Sequence, residues 1–342
     1  MVKVTVPGKV HLIGEHAVVY GEPAIIAAVG LRNFVEAEKS GEVRFTDDKL
    51  HISEEFPVQK IKEFSEKLDS LWEDCFRRRD FSELFSYFRN EKANFKKACI
   101  GKSLREFGID SGVSMRTGGN IPHGSGLGSS AALAVAIPKA IAEVYGIKTS
   151  IERINEIAYS LEKLLHGTPS GGDNTTCAYG GLIWFRKDKN GKPRIDSLKN
   201  EIPYTLENFV LTHIKQPEKT TGELVLGLRN LDPSFRDPRI KAIGQASREM
   251  RSALRNNDFK KVKDMINLSW KNLSELGLST PEVDEIIAKI VTMGGAAKLC
   301  GACGGGVMLA CHENKDSLKK VIKESGYNPM ETELGVDGVR VE

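Results

Sequence analysis

No stretch of this 342-residue chain approaches the roughly 18 consecutive apolar residues that a bilayer-spanning helix needs. The opening Val2-Lys3-Val4-Thr5-Val6 alternates as a strand does, where a signal peptide would carry an apolar core, so a cytoplasmic protein is expected. Charge of one sign is also lacking. The net charge is only +3, with the basic residues spread along the chain, which leaves no footprint for nucleic acid or a membrane surface. Arg77-Arg78-Arg79, the sole tight basic run, is followed by Asp80 and reads as a solvated helix face. Cysteines number six and are scattered. Cys300-x-x-Cys303 has no second ligand pair at comparable spacing, so small residues lining a tight loop explain it more simply than zinc or a redox pair. Long polar tracts and internal repeats are absent as well. With 40% hydrophobic and 28% charged residues the chain is ordinary globular protein. Its length exceeds the roughly 250 to 300 residues at which single cores stop growing, so two domains are expected.

Two familiar phosphate signatures are missing too. A dinucleotide fingerprint needs a third glycine where Ser129 stands. A Walker A loop needs a glycine five residues before Gly101-Lys102-Ser103, and that position is Lys96. What the chain has instead is Ile121-Pro122-His123-Gly124-Ser125-Gly126-Leu127-Gly128-Ser129-Ser130-Ala131-Ala132, which runs straight into an apolar helix predicted over 131–145. Its three glycines permit a tight turn with successive N–H groups presented, and the helix start adds unpaired N–H groups and a positive dipole end. Together they make a cradle for a nucleotide's phosphates; the bland alternative is a flexible Gly/Ser connector.

The rest of the chain supplies ionisable groups around that cradle. A strand at 2–6 ends in a predicted turn at Pro7-Gly8. The following segment from Lys9 to Gly21 sets Lys9, Glu15 and His16, with a further histidine, among apolar residues and glycines, which reads as a lined pocket. Strands are predicted at 24–29 and 33–38, a hairpin at 43–52, and helices through 57–107. A short strand at 113–116 leads into the glycine loop. A helix at 150–165 starts on a Ser150 cap. Near its end stands Glu162, and eleven residues on, past a Gly/Pro-rich loop, stands Asp173; the two acids can converge on one point. Strands at 182–185 and 194–198, with a turn at 187–192, close the first half. A linker near 201–207 marks a boundary between domains 1–203 and 204–342. Beyond it come a strand at 209–214, a helix from the Lys219-Thr220-Thr221 cap to 228, and helices at 238–256, 259–276 and 281–293. A strand at 307–311, a helix at 315–325 and a last strand at 338–341 complete the pass.

At this point the motifs resemble a known family. Pro7-Gly8-Lys9, the Gly124-to-Ala132 loop and Gly301-Ala-x-Gly-Gly-Gly306 stand in the order and spacing of the three motifs of the GHMP small-molecule kinases, and the resemblance spans nearly the whole chain. Within that family, Lys9-x-x-Leu-x-Gly-Glu15-His16-Ala-Val-Val-x-Gly21 and His166-Gly-x-Pro-Ser-Gly-x-Asp173-Asn174 most resemble the mevalonate kinase branch. The resemblance implies an α+β, two-layer, two-domain fold with the active site in the cleft between domains. It also implies ATP- and Mg²⁺-dependent phosphorylation of the 5-hydroxyl of (R)-mevalonate, in isoprenoid synthesis. By the same resemblance Gly124, Ser125, Gly126, Leu127, Gly128, Ser129 and Ser130 would hold ATP, and Ser130 and Glu162 would position Mg²⁺. Asp173 would be the catalytic carboxylate and Lys9 its cationic neighbour. Glu15, His16 and Thr221 would stand on the substrate side. Phosphoryl transfer to an alcohol requires an in-line oxygen, a neutralised γ-phosphoryl group and somewhere for the hydroxyl proton to go, and these residue types supply all three.

The chain departs from the branch at four places. Gly172 stands where an apolar β-branched residue is usual, implying a roomier pocket, Ser269-Trp270 replaces polar residues, and Cys300 and Cys303 replace Thr and Gly. A kinase for another alcohol, such as phosphomevalonate, a sugar or another hydroxyl of mevalonate, and a catalytically silent ATP-binding relative are the competing readings. The 57–107 helices read equally as a pocket lid or as the interface of a homodimer.

Overall fold

The computed structural model describes residues 1–122, 124–188, 192–219 and 221–342, with the backbone alone at Thr221 and Gly222. Its spine is an antiparallel pair, β1 (Val2–Ile13) and the 17-residue β2 (Ala24–Ser40). The turn expected at Pro7-Gly8 is absent. The strand runs on to Ile13, and the pairing slips between Pro7 and Gly8 instead. A bulge accommodates a proline that has no N–H to give the ladder, and it lets the two strands expected in 24–38 fuse into one.

From the far end of β2 the chain forms the hairpin β3 (Val43–Asp47) and β4 (Ile52–Phe56), then α1 (Val58–Arg78), α2 (Ser82–Asn90) and α3 (Asn94–Glu106). β5 (Gly112–Gly119) returns beside β2 and leads to α4 (Ser129–Tyr145), α5 (Ile151–His166) and α6 (Gly172–Tyr179). Ser150 caps α5 as expected, its side chain accepting from Arg153 N. Helix α6 falls where the sequence reads as loop. Its two leading glycines hide the helical pattern, and Gly171 in left-handed backbone (φ 81°) is its cap. β6 (Leu182–Lys187) and β7 (Pro193–Ser197) follow; the middle of the turn expected at 187–192 lies outside the described residues.

The remaining elements are β8 (Leu206–Lys215), α7 (Thr221–Arg229), α8 (Pro233–Arg255), α9 (Phe259–Glu275), α10 (Pro281–Thr292), β9 (Ala296–Leu299), β10 (Gly306–Cys311), α11 (Lys315–Glu324), β11 (Pro329–Leu334) and β12 (Arg340–Val341). Helix α8 starts before Pro238 because Asp232 accepts from Ser234 N and caps it. Strands β9 and β11 escape sequence patterning because β9 is four residues long and buried throughout, so it shows no alternation, while β11 is short and lies against β8, a partner distant in sequence.

The strands join in one mixed sheet, in the order β4-β3-β5-β2-β11-β8-β10-β9, with β1 and β12 on one side of β2 and β6 and β7 branching from its start. Every pairing is antiparallel except β3 with β5. The architecture is therefore mixed α/β, a sheet with helices packed against it, as the α+β expectation has it. Helix α4 is apolar on nearly all sides, and such a helix has to be buried. It packs against β1 and β2 and is flanked by α3, α5 and α6, so its N-terminus opens where β1, α5 and α6 converge.

Candidate functional site

Residues 124–128 wind through left-handed backbone at Gly124, Gly126 and Gly128, with φ of 68°, 76° and 73°. Leu127 anchors the loop in the core, and its carbonyl accepts at 2.9 Å from Lys9 N. Two glycines permit that approach. A Cβ on Gly8 would lie 2.6 Å from Leu127 O, and one on Gly128 would lie 2.7 Å from Lys9 Cγ. Only without those atoms can β1 press against the loop and deliver the Lys9 side chain to the open end of α4. The loop is braced from behind. Lys49 Nζ donates to Ile121 O at 2.6 Å and to Asn33 Oδ1 at 2.9 Å, and Asn33 Nδ2 donates to Ser129 Oγ at 3.2 Å. Ser125 Oγ closes the turn on Pro122 O at 2.7 Å. Gly124 and Gly126 face solvent, next to a first helical turn whose N–H groups have no partner within the helix, the standard anion site.

Lys9 Nζ lies 2.8 Å from Asp173 Oδ2, and Asp173 stands in the first turn of α6. Burial alone would lower Lys9, but Asp173 outweighs it and raises the ammonium above its ordinary value. Burial would likewise raise the Asp173 carboxyl; Lys9 and then His11 overcome it and hold it well below the usual carboxylate range. Helix α6 is locked to α5 by Asn174 Nδ2 donating to Asn155 Oδ1 at 2.6 Å and Asn155 Nδ2 donating to Thr175 Oγ1 at 3.0 Å.

Glu162 faces the same space from the end of α5. Burial first, and the Asp173 charge second, push its carboxyl up to about 8, against the nearby Ser130 hydroxyl. Two acids eleven residues apart are thus pushed in opposite directions, Asp173 down and Glu162 up. Glu162 Oε1 is buried without a hydrogen-bond partner. That orphaned oxygen with the Ser130 hydroxyl suits a hard cation such as Mg²⁺, which is typically held by one or two carboxylates and substrate phosphates.

Two cavities open here. One of about 150 Å³ is lined by Glu162, His166, Gly171 and Asp173 among others. One of about 680 Å³ runs from Gly124, Ser129 and Ser130 to Phe88, Phe95 and Lys96, so α2 and α3 of the 57–107 region furnish its far wall. That region also holds the 166–170 loop: Trp72 Nε1 donates to Gly167 O at 2.8 Å.

Lys9, Gly128, Ser130, Glu162 and Asp173 are therefore brought together. Glu15 and His16 stand differently. Glu15 is buried in an ion pair with Lys298 of β9, whose Nζ also donates to His11 O at 3.0 Å. His16, at φ 58°, donates from Nε2 to Ala302 O at 2.9 Å, which ties the β1–β2 connection to the late glycine loop. Burial holds the His16 imidazole below its ordinary value. The side chain of Thr221 lies outside the described residues, as do Thr220 and His123.

All four departures from the branch resolve into packing. A Cβ on Gly172 would lie 2.7 Å from Ile26 Cδ1 and 3.3 Å from Phe185, so no roomier pocket exists there: Ile26 and Phe185 fill the space. Ser269 and Trp270 are buried in α9, Trp270 within the core built around α8, α9 and α10, rather than lining the cavities. Cys300 and Cys303 are buried free thiols, raised by burial, and among the described residues no group of three or more His, Cys, Asp or Glu could hold a metal. Sequence reasoning missed Lys298, Lys49, Asn33 and His11. Only His11 left a signal, since it stands two residues from Lys9 on a strand and so shares its face.

The family model for the GHMP kinases N terminal domain matches residues 94–181, and that for GHMP kinases C terminal matches residues 250–327. A mevalonate kinase of Pyrococcus furiosus is 31% identical over 98% of this chain and 97% of its own length. The crystal structure of Methanococcus jannaschii mevalonate kinase superposes with a TM-score of 0.82 at 25% identity, covering 98% of each chain. That of L. major mevalonate kinase in complex with R-mevalonate superposes with a TM-score of 0.75 at 22% identity, over 98% of this chain and 96% of that one, a likeness of fold.

Proposed function

Because the chain belongs to the GHMP kinase family, alongside its mevalonate kinases, we propose that it transfers the γ-phosphoryl group of ATP to the 5-hydroxyl of (R)-mevalonate, giving 5-phosphomevalonate and ADP. The observation that carries this reading is the Lys9–Asp173 pair, 2.8 Å apart, at the open N-terminus of α4.

The phosphates would lie on the N–H groups of 124–130, with the base toward Phe88 and Phe95 in the larger cavity. The hydroxyl oxygen attacks phosphorus in line; as that bond forms, the bond to the bridging oxygen breaks and its electron pair leaves on ADP. Asp173 accepts the hydroxyl's hydrogen bond. Held far below the ordinary range, it orients the oxygen and takes the proton only as the new bond forms. Lys9 lowers the pKa of the hydroxyl and offsets charge spreading over the transferring group. Ser130 and Glu162 would hold Mg²⁺, which when bound neutralises phosphate oxygens. Glu15 and His16 would act on the substrate side through the backbone they pin. The same reading divides the chain into a nucleotide-binding part, 1–203, and a second part, 204–342, with the site between them. It also locates the enzyme in the cytoplasm. Among the described residues no helix is long and apolar enough to cross a membrane.

An ADP-release assay over mevalonate, phosphomevalonate, homoserine and simple sugars tests the proposal. Turnover on mevalonate above the others is the expected result; turnover on a sugar or on phosphomevalonate without mevalonate would overturn the substrate.

A further inference from the structure

Resting on that reading of Asp173, we infer that His11 is a positioning residue for the reacting carboxylate. Its Nε2–H donates to Asp173 Oδ1 in the reacting complex, so that Lys9 and His11 take one oxygen each and fix the plane of the carboxylate toward the alcohol.

The geometry is two-sided. Lys9 Nζ sits 2.8 Å from Oδ2, and His11 Nε2 sits 3.9 Å from Oδ1. These are the cations or imidazoles within ion-pairing distance of Asp173 among the described residues. The second distance exceeds a hydrogen bond, as hydrogen bonds of catalytic groups often do before substrate closes the site. The tautomer follows from burial. His11 Nδ1 is buried with no partner. A hydrogen there would be a stranded donor, so the neutral ring carries its hydrogen on Nε2, the nitrogen facing Asp173.

The ring is held from behind as well. His11 is in register with Ile26 of β2, and its carbonyl accepts from Lys298 Nζ at 3.0 Å, while Lys298 is itself fixed by Glu15. Position 11 is thereby tied to β9, a strand from the other half of the chain. The remaining groups around Asp173 are Glu162 and His166 from α5 and Cys177 from α6. None of them sits within ion-pairing distance of Oδ1, which leaves that oxygen to His11 and the substrate.

The full chain carrying His11→Leu keeps the bulk and loses the donor; His11→Gln returns a donor close to the Nε2 position. In steady state His11→Leu should lower kcat by about 10- to 100-fold, the cost of a misplaced reacting group, with KM for ATP unchanged and His11→Gln recovering most of the loss. In an Asp173→Asn background, His11→Leu should cause no further loss in single-turnover rate, because the two residues act as one unit. Wild-type kcat in His11→Leu, equal impairment in the Gln and Leu variants, or multiplying losses in the double variant would each overturn the inference. Imidazole ¹⁵N shifts decide it independently of turnover. An Nε2-protonated His11 whose shifts move on Asp173→Asn supports the inference, and an Nδ1-protonated ring overturns it. Absence of mevalonate turnover in the wild-type chain with an Nε2-protonated, Asp173-sensitive His11 would instead remove the functional reading and leave the pairing standing.

Discussion

A lysine as deeply buried as Lys9 would ordinarily shed its proton, and an aspartate in the same surroundings would ordinarily gain one. Each prevents the other from doing so across 2.8 Å, and the charged pair persists at the helix end where phosphate charge would arrive. Asp173→Asn should therefore lower kcat by about 10²- to 10⁴-fold, the range for a lost group handling a proton. Calorimetry should show ATP still binding, because the loop amides are untouched. Unaltered turnover in that variant would take Asp173 out of the reaction. Gly172 answers to packing rather than chemistry. Gly172→Val would drive its side chain into Ile26 and Phe185 and should cost about 1–3 kcal/mol of stability, the usual penalty of overpacking, read as a fall in urea midpoint.

Helix α3 shows how an element can mimic a motif. Gly101-Lys102-Ser103, half of a Walker A sequence, is three residues of a buried helix, and Gly101 is there because a Cβ would lie 2.2 Å from Ile61 O of α1. Another buried charge of the same helix braces the glycine loop. Lys96 Nζ pairs with Asp47 Oδ2 at 2.7 Å with both side chains almost fully enclosed, and Asp47 also holds the turn at Lys49 and Leu50. Lys96→Met should cost about 3–5 kcal/mol, because it strands a buried carboxylate; a denaturation midpoint equal to wild type would show that Asp47 finds another partner. After β7, Glu201 ties the connector to α8. Hydrogen bonds from Arg251 first and Arg255 second lower its carboxyl from 4.5 to about 2. A depressed carboxylate contributes stability that is present above the unfolded value and lost as pH falls through the folded one. Glu201→Gln should therefore flatten the decline of melting temperature between about pH 4.5 and pH 2, and an unchanged slope would mean the pair contributes nothing. Because Glu201 is only half-buried and solvent screens the pair, the effect should be small.

Across the whole molecule, the two parts of the chain are joined by buried side-chain links as well as by the sheet they share. The Glu15–Lys298 pair is wholly enclosed and links the end of β1 to β9, and His16 reaches Ala302 from the same connection. Lys298→Met should cost about 3–5 kcal/mol and still leave one unfolding transition by calorimetry, since β8 and β11 bind the later part to β2 through a shared sheet; two separate transitions would show the halves to be independent. The glycine loop, the apolar helix behind it, and the acids at 162 and 173 were legible in the sequence because each rests on local chemistry: a turn that needs glycine, a helix that must be buried, a cap. The short strand β11, the helix hidden behind Gly171-Gly172, the burial of Glu15 against Lys298 and the placement of His11 beside Asp173 were not. Each depends on which distant segment packs alongside, and pattern along a chain carries no information about neighbours across it. The residues alone announce a glycine loop running into an apolar helix, a lysine at position 9 and an aspartate at position 173. That these groups share one space follows from the packing, because the missing Cβ atoms of Gly8 and Gly128 let β1 close on the loop at the start of α4.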